Sequence, residues 1–515
     1  MRKIAKYLKL KFEKNLTSLL LKDVKPVDIK DSEYVFIFSP VRIRFYEKLY
    51  ALISHRLSKI GIASCFPFKN DWSNSAYPGF DVDGLAMNHA LIIGKTKRII
   101  KSAHGNELFF EWIVDIENEK IEAQGINFFP VIRSTLRSLQ KRYNVFFHDQ
   151  DNHPVYTDLI QSCDALLKYF LLLKDYSQKT DKKIRLVGYE IDYIPNGVFK
   201  TLCDQLSSNH DIEFIELRQG YMHYFGQHHH RDSFITCSNL TKTQRSEGWS
   251  ISKNELSQMN GKSIDRDELL KPIASVLNKN IYSEISEDQK QVINIIKDYQ
   301  SRGEKIFVLF AHLFYDTPVK DESSAFKDMC AWVSETVNFF SAENNLLLIK
   351  PHPAEFVKGE PKKIPNETLK SFLGDISLSK NVILLEPHLF SIKDLSPFLS
   401  YGLVWRSSVA MELAFLGIPC IIAGNPYYSA LDLIFAKDKK HYIDLIKQSH
   451  DLKITDQQKI NVAKYLYLLK KKHTHLDSIL YNQKLRSHYW KRKALKKYLE
   501  KGDDNINSIV ENMLV

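Results

Sequence analysis

Short apolar runs that alternate with stretches of helical periodicity constrain the fold of this chain more than any other feature. Residues 34–39 (YVFIFS) predict a strand, and a helical pattern follows over residues 41–60. Residues 184–189 (IRLVGY) predict a second strand with a helix over 196–206 behind it, and residues 212–217 predict the next strand. Strands separated by helices pair in parallel, because a helical crossover returns the chain to the same end of the sheet.

The same alternation continues in the second half of the chain. A long helix is predicted over residues 324–340, where Trp332 and Val337 share an apolar side. Strands are predicted at 305–311, 346–349, 382–385, 403–405 and 420–423. The sequence therefore predicts an α/β protein with two doubly wound, Rossmann-like domains that face a cleft. Ligands of such sheets bind beyond the carboxyl ends of the strands, so the loops at those ends are the first places to look for a site.

A polar stretch separates the two halves. The length of 515 residues suits two or three domains. From about residue 240, Ser, Asn, Lys and Thr dominate and the apolar periodicity is lost, which is typical of a linker. In chain order, the predicted parts are a domain over 1–245 that opens with a basic amphipathic helix, a linker over 246–283, a second domain over 284–480 and a basic C-terminal helix over 481–515.

Positive charge is concentrated near the two ends of the sequence. Of the net charge of +11, residues 1–25 contribute +6 and residues 470–501 contribute +9, which leaves −4 for the rest. Proteins that bind nucleic acid usually line a groove with basic residues, so no nucleic acid partner is expected. Residues 1–21 and 488–499 both combine cations with apolar residues at helical spacing. Such a helix either lies on an anionic membrane surface or packs its apolar side on the protein, and the sequence leaves both readings open.

Other patterns exclude further classes of protein. No stretch reaches the ~18 apolar residues of a membrane-spanning helix, and the longest apolar run, residues 413–424, has 12 residues and contains Pro419. The six cysteines are scattered without a CxxC pair, which predicts reduced thiols in a cytoplasm. The basic N-terminus also lacks the apolar segment and cleavage site of a secretory signal.

The first candidate site follows the predicted strand 346–349. There the sequence reads Lys350-Pro351-His352-Pro353, and two prolines restrict the backbone on either side of one histidine. Lys350 adds a positive charge beside it. This combination suits a leaving group on which negative charge accumulates, such as a nucleotide phosphate.

The second candidate site follows the predicted strand 403–405. Ser407 or Ser408 is suited to cap a helix that ends before Gly417, so serine hydroxyls and backbone N–H groups would meet an anion there. Glu412 lies one turn after Ser408 on the same face and would accept hydrogen bonds from ribose hydroxyls. The strand count places both candidate sites at one sheet edge, which strengthens each of them.

The two motifs carry a family resemblance. The segments KPHPAE and WRSSVAMELAFLGIPCIIAGNPYY, with FAHLFYD upstream, resemble the bacterial capsule-polysaccharide biosynthesis glycosyltransferases, a family that includes CMP-Kdo-dependent enzymes. The resemblance covers roughly residues 300–450. It implies the two-domain GT-B fold, donor phosphate contacts from His352, Ser407 and Ser408, and ribose contacts from Glu412. Arg406 stands where relatives often have a small polar residue.

The resemblance implies a membrane-associated cytoplasmic glycosyltransferase that moves a sugar, from a CMP-sugar by preference, to a growing capsular or lipopolysaccharide glycan. Its expected partners are the nucleotide-sugar donor, a lipid-linked or oligosaccharide acceptor and the inner membrane surface, with no cofactor. Three alternatives stay open: a transferase for CDP-glycerol or a similar alditol phosphate, a nucleotide-sugar epimerase, and a non-catalytic polysaccharide assembly or export protein.

The base that would deprotonate the acceptor is harder to find. Inverting transfer needs a carboxylate or histidine from the first domain. Asp192 is the first choice and Glu190 the second, since both follow the strand 184–189, and Glu216 ends the next strand.

Two apparent metal motifs are discounted. Asp81-Val82-Asp83 matches a DxD pattern, but so do Asp149-Gln150-Asp151 and Asp265-Arg266-Asp267, so the pattern is near chance in this sequence. His228-His229-His230 has no second ligand pair at the spacing of a zinc site. No metal site is expected.

Overall fold

A computed structural model gives the fold of the chain. It describes residues 20, 27, 31–39, 44–65, 108–142, 145–207, 211–223, 231–241, 250–259, 265, 269, 285–314, 325–355, 366–374, 378–472, 474–475, 481–482, 487–488 and 491–515. Four predicted features lie outside the described residues: the N-terminal helix over 1–21 apart from Leu20, the DxD pattern at 81–83, the histidines 228–230 and most of the linker.

The first sheet has six strands, which are β1 Tyr34–Phe38, β2 Ala63–Cys65, β6 Lys183–Gly188, β7 Ile212–His223, β8 Arg231–Asn239 and β15 Thr474–His475. Their order in the sheet is β15-β8-β7-β6-β1-β2. The pairs β2–β1, β1–β6 and β6–β7 are parallel, whereas β8 pairs antiparallel with both β7 and β15. The predicted parallel core is present, and an antiparallel hairpin that the sequence did not predict extends it.

The first unit, which is this sheet with its helices, also carries a small antiparallel sheet between β2 and β6 in the chain. That sheet consists of β3 Ile113–Asp115, β4 Lys120–Ala123 and β5 Ile126–Asn127. The helices of the first unit in the N-terminal half are α1 Arg44–Lys59, α2 Phe129–Gln140, α3 Thr157–Thr180 and α4 Asn196–Leu206.

Both faces of the first sheet are covered, because successive side chains of a strand point to opposite sides. Val35 and Ile37 of β1 belong to one core, which includes residues of α2, α3 and α4. Phe36 and Phe38 belong to another core, which α1 covers together with helices from the end of the chain. This is the doubly wound arrangement.

The strands of the second sheet are β9 Ile306–Phe310, β10 Leu346–Lys350, β11 Val382–Leu384, β12 Tyr401–Val404, β13 Cys420–Ile422 and β14 Ile434–Phe435. This sheet is parallel throughout, in the order β11-β10-β9-β12-β13-β14. Ile306 and Val308 of β9 face one core, whereas Phe307 and Leu309 face another. The second unit, which is this sheet with its helices, is therefore also doubly wound.

The helices of the second unit lie on both faces of its sheet. One predicted boundary was wrong: the long helix begins at Met329 rather than at 324, because Asp328 caps it by accepting a hydrogen bond from the Ala331 N–H at 2.7 Å. The helices over this part of the chain are α5 Lys253–Ser257, α6 Glu287–Ser301, α7 Met329–Ser341, α8 Leu369–Leu373, α9 Ile392–Leu395, α10 Val409–Phe415, α11 Lys439–Lys447 and α12 Asp456–Lys472.

After α12 the chain returns to the first unit. Strand β15 joins the first sheet, a short pair β16 Tyr481–Asn482 and β17 Ser487–His488 follows, and the chain ends in α13 Arg492–Lys501 and α14 Asp504–Leu514. Leu495 and Tyr498 of α13 are buried in the core beside α1. The apolar side of α13 therefore packs on the protein, which is the second of the two readings that the sequence left open for this basic segment.

The predicted α/β class with two doubly wound units is confirmed. Within the described part of the chain, no helix combines the length and apolar character that a membrane span requires.

Candidate functional site

Three loops of the second unit begin at the same level of its sheet. In the strand register, Phe310 of β9 pairs with both Lys350 of β10 and Val404 of β12. Two residues beyond that row, the segments that follow β10, β9 and β12 carry His352, His312 and Arg406, respectively. The carboxyl edge of the sheet therefore brings two imidazoles and a guanidinium together, at the place where such folds bind ligands.

His352 is held in one tautomer. Its Nδ1 accepts a hydrogen bond from the Ala354 N–H at 3.1 Å, so the proton of the neutral ring is on Nε2. Burial, together with the smaller effects of the neighbouring His312 and Lys350, lowers the pKa of His352 to about 4. At neutral pH this side chain is therefore an uncharged hydrogen-bond donor.

His312 is a site residue that the sequence interpretation did not select. Its Nδ1 accepts from the Leu313 N–H at 3.0 Å, which also leaves the proton on Nε2. The ring centroids of His312 and His352 are 5.6 Å apart. A usable signal was present in the sequence, because His312 follows β9 at the same distance at which His352 follows β10.

Lys350 lies beneath this pair. The side chain is 6% exposed, and its Nζ donates to the Pro387 carbonyl oxygen at 3.2 Å. Burial lowers the pKa of Lys350 to about 8, while the nearby Asp394 raises it in part. The lysine is still mostly protonated at neutral pH, so it adds positive potential from below.

The serine loop differs in detail from the prediction. Ser408 is the residue before α10, but its side chain makes no capping hydrogen bond, whereas the Ser407 Oγ accepts from the Val409 N–H at 3.3 Å. The Tyr428 hydroxyl donates to the Ser407 carbonyl oxygen at 2.5 Å. The loop is thereby fixed to the segment after β13, and the Ser408 side chain is exposed. Because α10 has only seven residues, the hydroxyls and loop N–H groups matter more than its dipole.

Glu412 lies one turn into α10 and is partly buried. Burial raises its pKa to about 8, so the side chain is mostly a neutral carboxylic acid at pH 7. Its charge, when present, acts on the nearby Tyr427 hydroxyl. A neutral acid both donates and accepts, which still suits a ribose hydroxyl but differs from the carboxylate that the sequence suggested.

The candidate bases lie in the first unit, on the loop after β6. Glu190 is exposed and has a φ of 50°, in the left-handed region, and Asp192 is partly buried. The loop is anchored at its end, where the Ile194 N–H donates to the Thr135 Oγ1 at 3.0 Å. Glu216 is 2% exposed, so it is the least accessible of the three carboxylates.

One group in the first unit has the composition of a metal site. Asp149, Asp151 and His153 have ligand atoms within 4.8 Å of one another, and all three are exposed. The Asp149 Oδ1 accepts backbone N–H groups of Asp151 at 3.0 Å and of His153 at 2.8 Å. These bonds are those of a surface turn, so the group gives no reason to assign a metal.

Comparisons with known proteins gave no matching family model and no matching curated protein. Among solved structures, similar chains include Thermosulfurimonas dismutans KpsC, a beta Kdo 2,7 transferase, with 15% identity, a TM-score of 0.29, and coverage of 58% of this chain and 86% of that chain.

The UDP-GlcNAc 2-epimerase from Neisseria meningitidis bound to UDP-GlcNAc is 11% identical, with a TM-score of 0.28 and coverage of 85% and 97%. The S. aureus MnaA–UDP co-structure is 10% identical, with a TM-score of 0.23 and coverage of 92% and 98%. At these values the matches add nothing to the architecture that the two sheets define.

Proposed function

We propose that the carboxyl edge of the second sheet binds the phosphate of a nucleotide-activated donor, and that the protein is a glycosyltransferase. One observation carries this proposal: His312, His352 and Arg406 extend from three adjacent parallel strands at the same level, above the buried Lys350. These groups offer N–H donors and positive charge and no carboxylate, which is the chemistry of a phosphate site.

In the proposed reaction these groups act on the leaving nucleotide. As the bond between sugar and phosphate breaks, negative charge grows on the phosphate oxygen, and donors fixed in advance stabilise that charge more than they stabilise the bound donor. The Nδ1 bonds of both histidines place the ring proton on Nε2 and fix its direction. Ser407 and Ser408 would contact the phosphate, and Glu412 the ribose.

The finer assignment is a CMP-sugar donor and a growing capsular or lipopolysaccharide glycan as acceptor, which rests on the resemblance of residues 300–450. A CDP-alditol phosphotransferase is the second candidate, because it would use the same phosphate contacts. The product separates the two: a CMP-sugar and a CDP-alditol both release CMP, but only the second leaves a phosphodiester in the product.

The donor site is tested by thermal shift with CMP, CDP, UDP, GDP and UMP. A ligand at 100 times its Kd adds about 2.7 kcal/mol to the stability, an easily measured shift. We expect a cytidine nucleotide to raise the unfolding midpoint of the wild type, and His352→Ala or His312→Ala to abolish that rise. His450→Ala is the matched control, because His450 is exposed in the same unit. No shift with any nucleotide would refute the donor site.

The acceptor base is tested separately from donor binding. Asp192→Asn and Glu190→Gln should each retain the nucleotide shift, and the variant that lacks the base should lose transfer by a factor of 100 or more, within the usual range of about 10²–10⁴ for general-base catalysis. Full transfer activity in both variants would remove this loop from the mechanism.

Membrane association is proposed through the exposed side of α13. Arg492, Lys493, Lys496, Lys497 and Lys501 are all exposed on this helix, whereas its apolar side is buried. Binding to anionic lipid would therefore be electrostatic, worth about 1 kcal/mol per cation near the surface and sensitive to salt. Sedimentation with phosphatidylglycerol vesicles at 0.05 and 0.5 M NaCl tests this: wild type should bind only at low salt, and Lys493→Glu/Lys497→Glu should not bind.

A further inference from the structure

Arg406 has a defined position at the carboxyl edge of the second sheet. A Cβ atom at Gly424 would lie 2.6 Å from Arg406 Cγ and 2.7 Å from the Trp405 carbonyl oxygen. The stem of Arg406 therefore lies directly across the backbone of Gly424. The Gly424 N–H donates to the Trp405 carbonyl oxygen at 2.8 Å, which keeps the two segments together. Only a residue without a side chain at position 424 leaves room for this arrangement.

The guanidinium at the end of this stem is close to the serine loop. Its positive charge acts on the Tyr428 hydroxyl, and that hydroxyl donates to the Ser407 carbonyl oxygen. Arg406 is only partly buried, in contrast to the buried Trp405 before it. Its head group is thus near the Tyr428 hydroxyl, which holds the backbone of the serine loop.

The other basic groups near Arg406 do not supply a full, accessible charge. His312 and His352 are neutral donors, because the Nδ1 of each accepts a backbone N–H. Lys350 is buried and bound to the Pro387 carbonyl oxygen. Among the described residues that directly follow β9, β10, β12 and β13 at this edge, Arg406 is the one lysine or arginine, and it carries a planar guanidinium.

We propose that Arg406 is the charge-recognising residue of the donor site, and that its guanidinium binds the phosphate oxygens and favours nucleotides with more negative charge. This inference rests on the proposed donor site. A planar guanidinium offers two parallel N–H donors to a phosphate, which a lysine ammonium does not. The histidines would then orient the phosphate, and Arg406 would supply most of the attraction.

The test compares Arg406→Gln, Arg406→Lys and Gly424→Ala by calorimetric titration with CMP and CDP at 0.05 and 0.3 M NaCl. Arg406→Gln should bind CMP 10- to 100-fold more weakly than wild type, lose more affinity for CDP than for CMP, and show less salt dependence. Arg406→Lys should be intermediate. Gly424→Ala keeps the charge but displaces the stem, so it should resemble Arg406→Gln. Arg302→Gln is the control, because Arg302 is an exposed arginine paired with Asp298 on α6.

Each result has a distinct meaning. If wild type binds neither nucleotide, the proposed donor site is wrong and this inference fails with it. If wild type binds and Arg406→Gln binds equally well, or weakens CMP and CDP equally with unchanged salt dependence, Arg406 has only a structural role and the inference alone is wrong. The unfolding midpoint of each variant is measured as well; should Gly424→Ala not fold, the two Arg406 variants decide the question.

Discussion

His312 and His352 show how a bond at one ring nitrogen determines what the other nitrogen can do. In both, a backbone N–H occupies Nδ1, which excludes the tautomer with the proton on that atom. Two imidazolium ions with centroids 5.6 Å apart would repel each other, so neutral rings are the favourable state before a ligand binds. A bound phosphate would accept a hydrogen bond from the Nε2–H of each neutral ring, because the bond at Nδ1 leaves no site for a second proton.

Glu412→Gln should change the dependence of stability on pH. Because the pKa of Glu412 is raised to about 8 in the fold, the folded state holds a proton that the unfolded state loses near pH 4.5. The stability that this proton contributes is present at low pH and is lost as pH rises towards 8. Glutamine removes this loss, so the variant should gain stability relative to wild type between pH 5 and pH 8.5, by up to a few kcal/mol.

Urea unfolding at pH 5, 7 and 8.5 measures this difference. Glu511→Gln is the control, because it makes the same substitution at an exposed position of α14. A constant difference for Glu412→Gln would show that this carboxyl is ionised in the fold at pH 7.

At the scale of elements, the sequence predicted the strands whose residues are mostly apolar. The strands β9 and β10 are entirely buried and were predicted to within one residue at each end. Strand β8 reads RDSFITCSN and was missed, because its many polar residues leave no apolar run. The start of α7 was missed because the helical pattern extends further than the helix, which begins only after its capping residue, Asp328.

The candidate site was predictable only in part, because a sequence pattern shows where strands end but not which strands are neighbours or which side chains are buried. Lys350, His352 and Ser407 follow predicted strands, so their common edge could be deduced from the alternation alone. The pairing of His312 with His352 depends on β9 being the strand next to β10, and strand order is a tertiary property. The pKa of Glu412 depends on burial that a seven-residue helical pattern does not reveal.

The loop between β12 and α10 depends on Tyr428 for its position. Its hydroxyl donates to the Ser407 carbonyl oxygen, and Tyr465 in turn donates to the Tyr427 carbonyl oxygen at 2.7 Å. Tyr428→Phe should leave the Ser407 carbonyl without this donor, cost about 1 kcal/mol of stability and loosen the serine loop. We expect a 3- to 10-fold loss of nucleotide affinity, measured by calorimetric titration.

Tyr442→Phe is a matched control for this prediction. Tyr442 is buried in the same unit, and its hydroxyl accepts from Trp332 Nε1 at 3.0 Å and bonds with Thr336. It lies in the core on the other face of the sheet from Tyr428. The control should lose similar stability but keep its nucleotide affinity; equal losses of affinity in both variants would mean that only general stability matters.

At the scale of the whole molecule, the chain starts in the first unit, builds the second unit and then returns. The return is substantial, since Leu495, Tyr498, Ile506 and Ile509 are all buried in the core beside α1. From the sequence, both basic ends had the same two readings, a helix on a membrane surface or a helix packed on the protein. The contacts of α13 show that only the charged side of this helix is available to a membrane. Sequence periodicity alone does not show which surface the apolar side of a helix contacts.

The returning helices are held to the first sheet by a buried arginine. Arg185 of β6 is 2% exposed, pairs through Nε with Glu213 Oε2 at 2.8 Å, and donates from Nη1 to the Met513 carbonyl oxygen at 2.9 Å. Arg185→Met should leave the Glu213 charge buried without this partner and release the end of α14. Loss of one partner of a buried pair typically costs about 3–5 kcal/mol, which urea unfolding would detect.

The double variant Arg185→Met/Glu213→Gln separates charge from attachment. It should recover most of the lost stability, since no unpaired charge remains buried, while the amide hydrogens of α14 should still exchange faster than in wild type because the Met513 carbonyl has lost its donor. Lys183→Met is the control, because Lys183 is exposed on the same strand and pairs with the exposed Glu33. If α14 exchanges at the wild-type rate in the double variant, apolar packing alone holds the returning helices on the first unit.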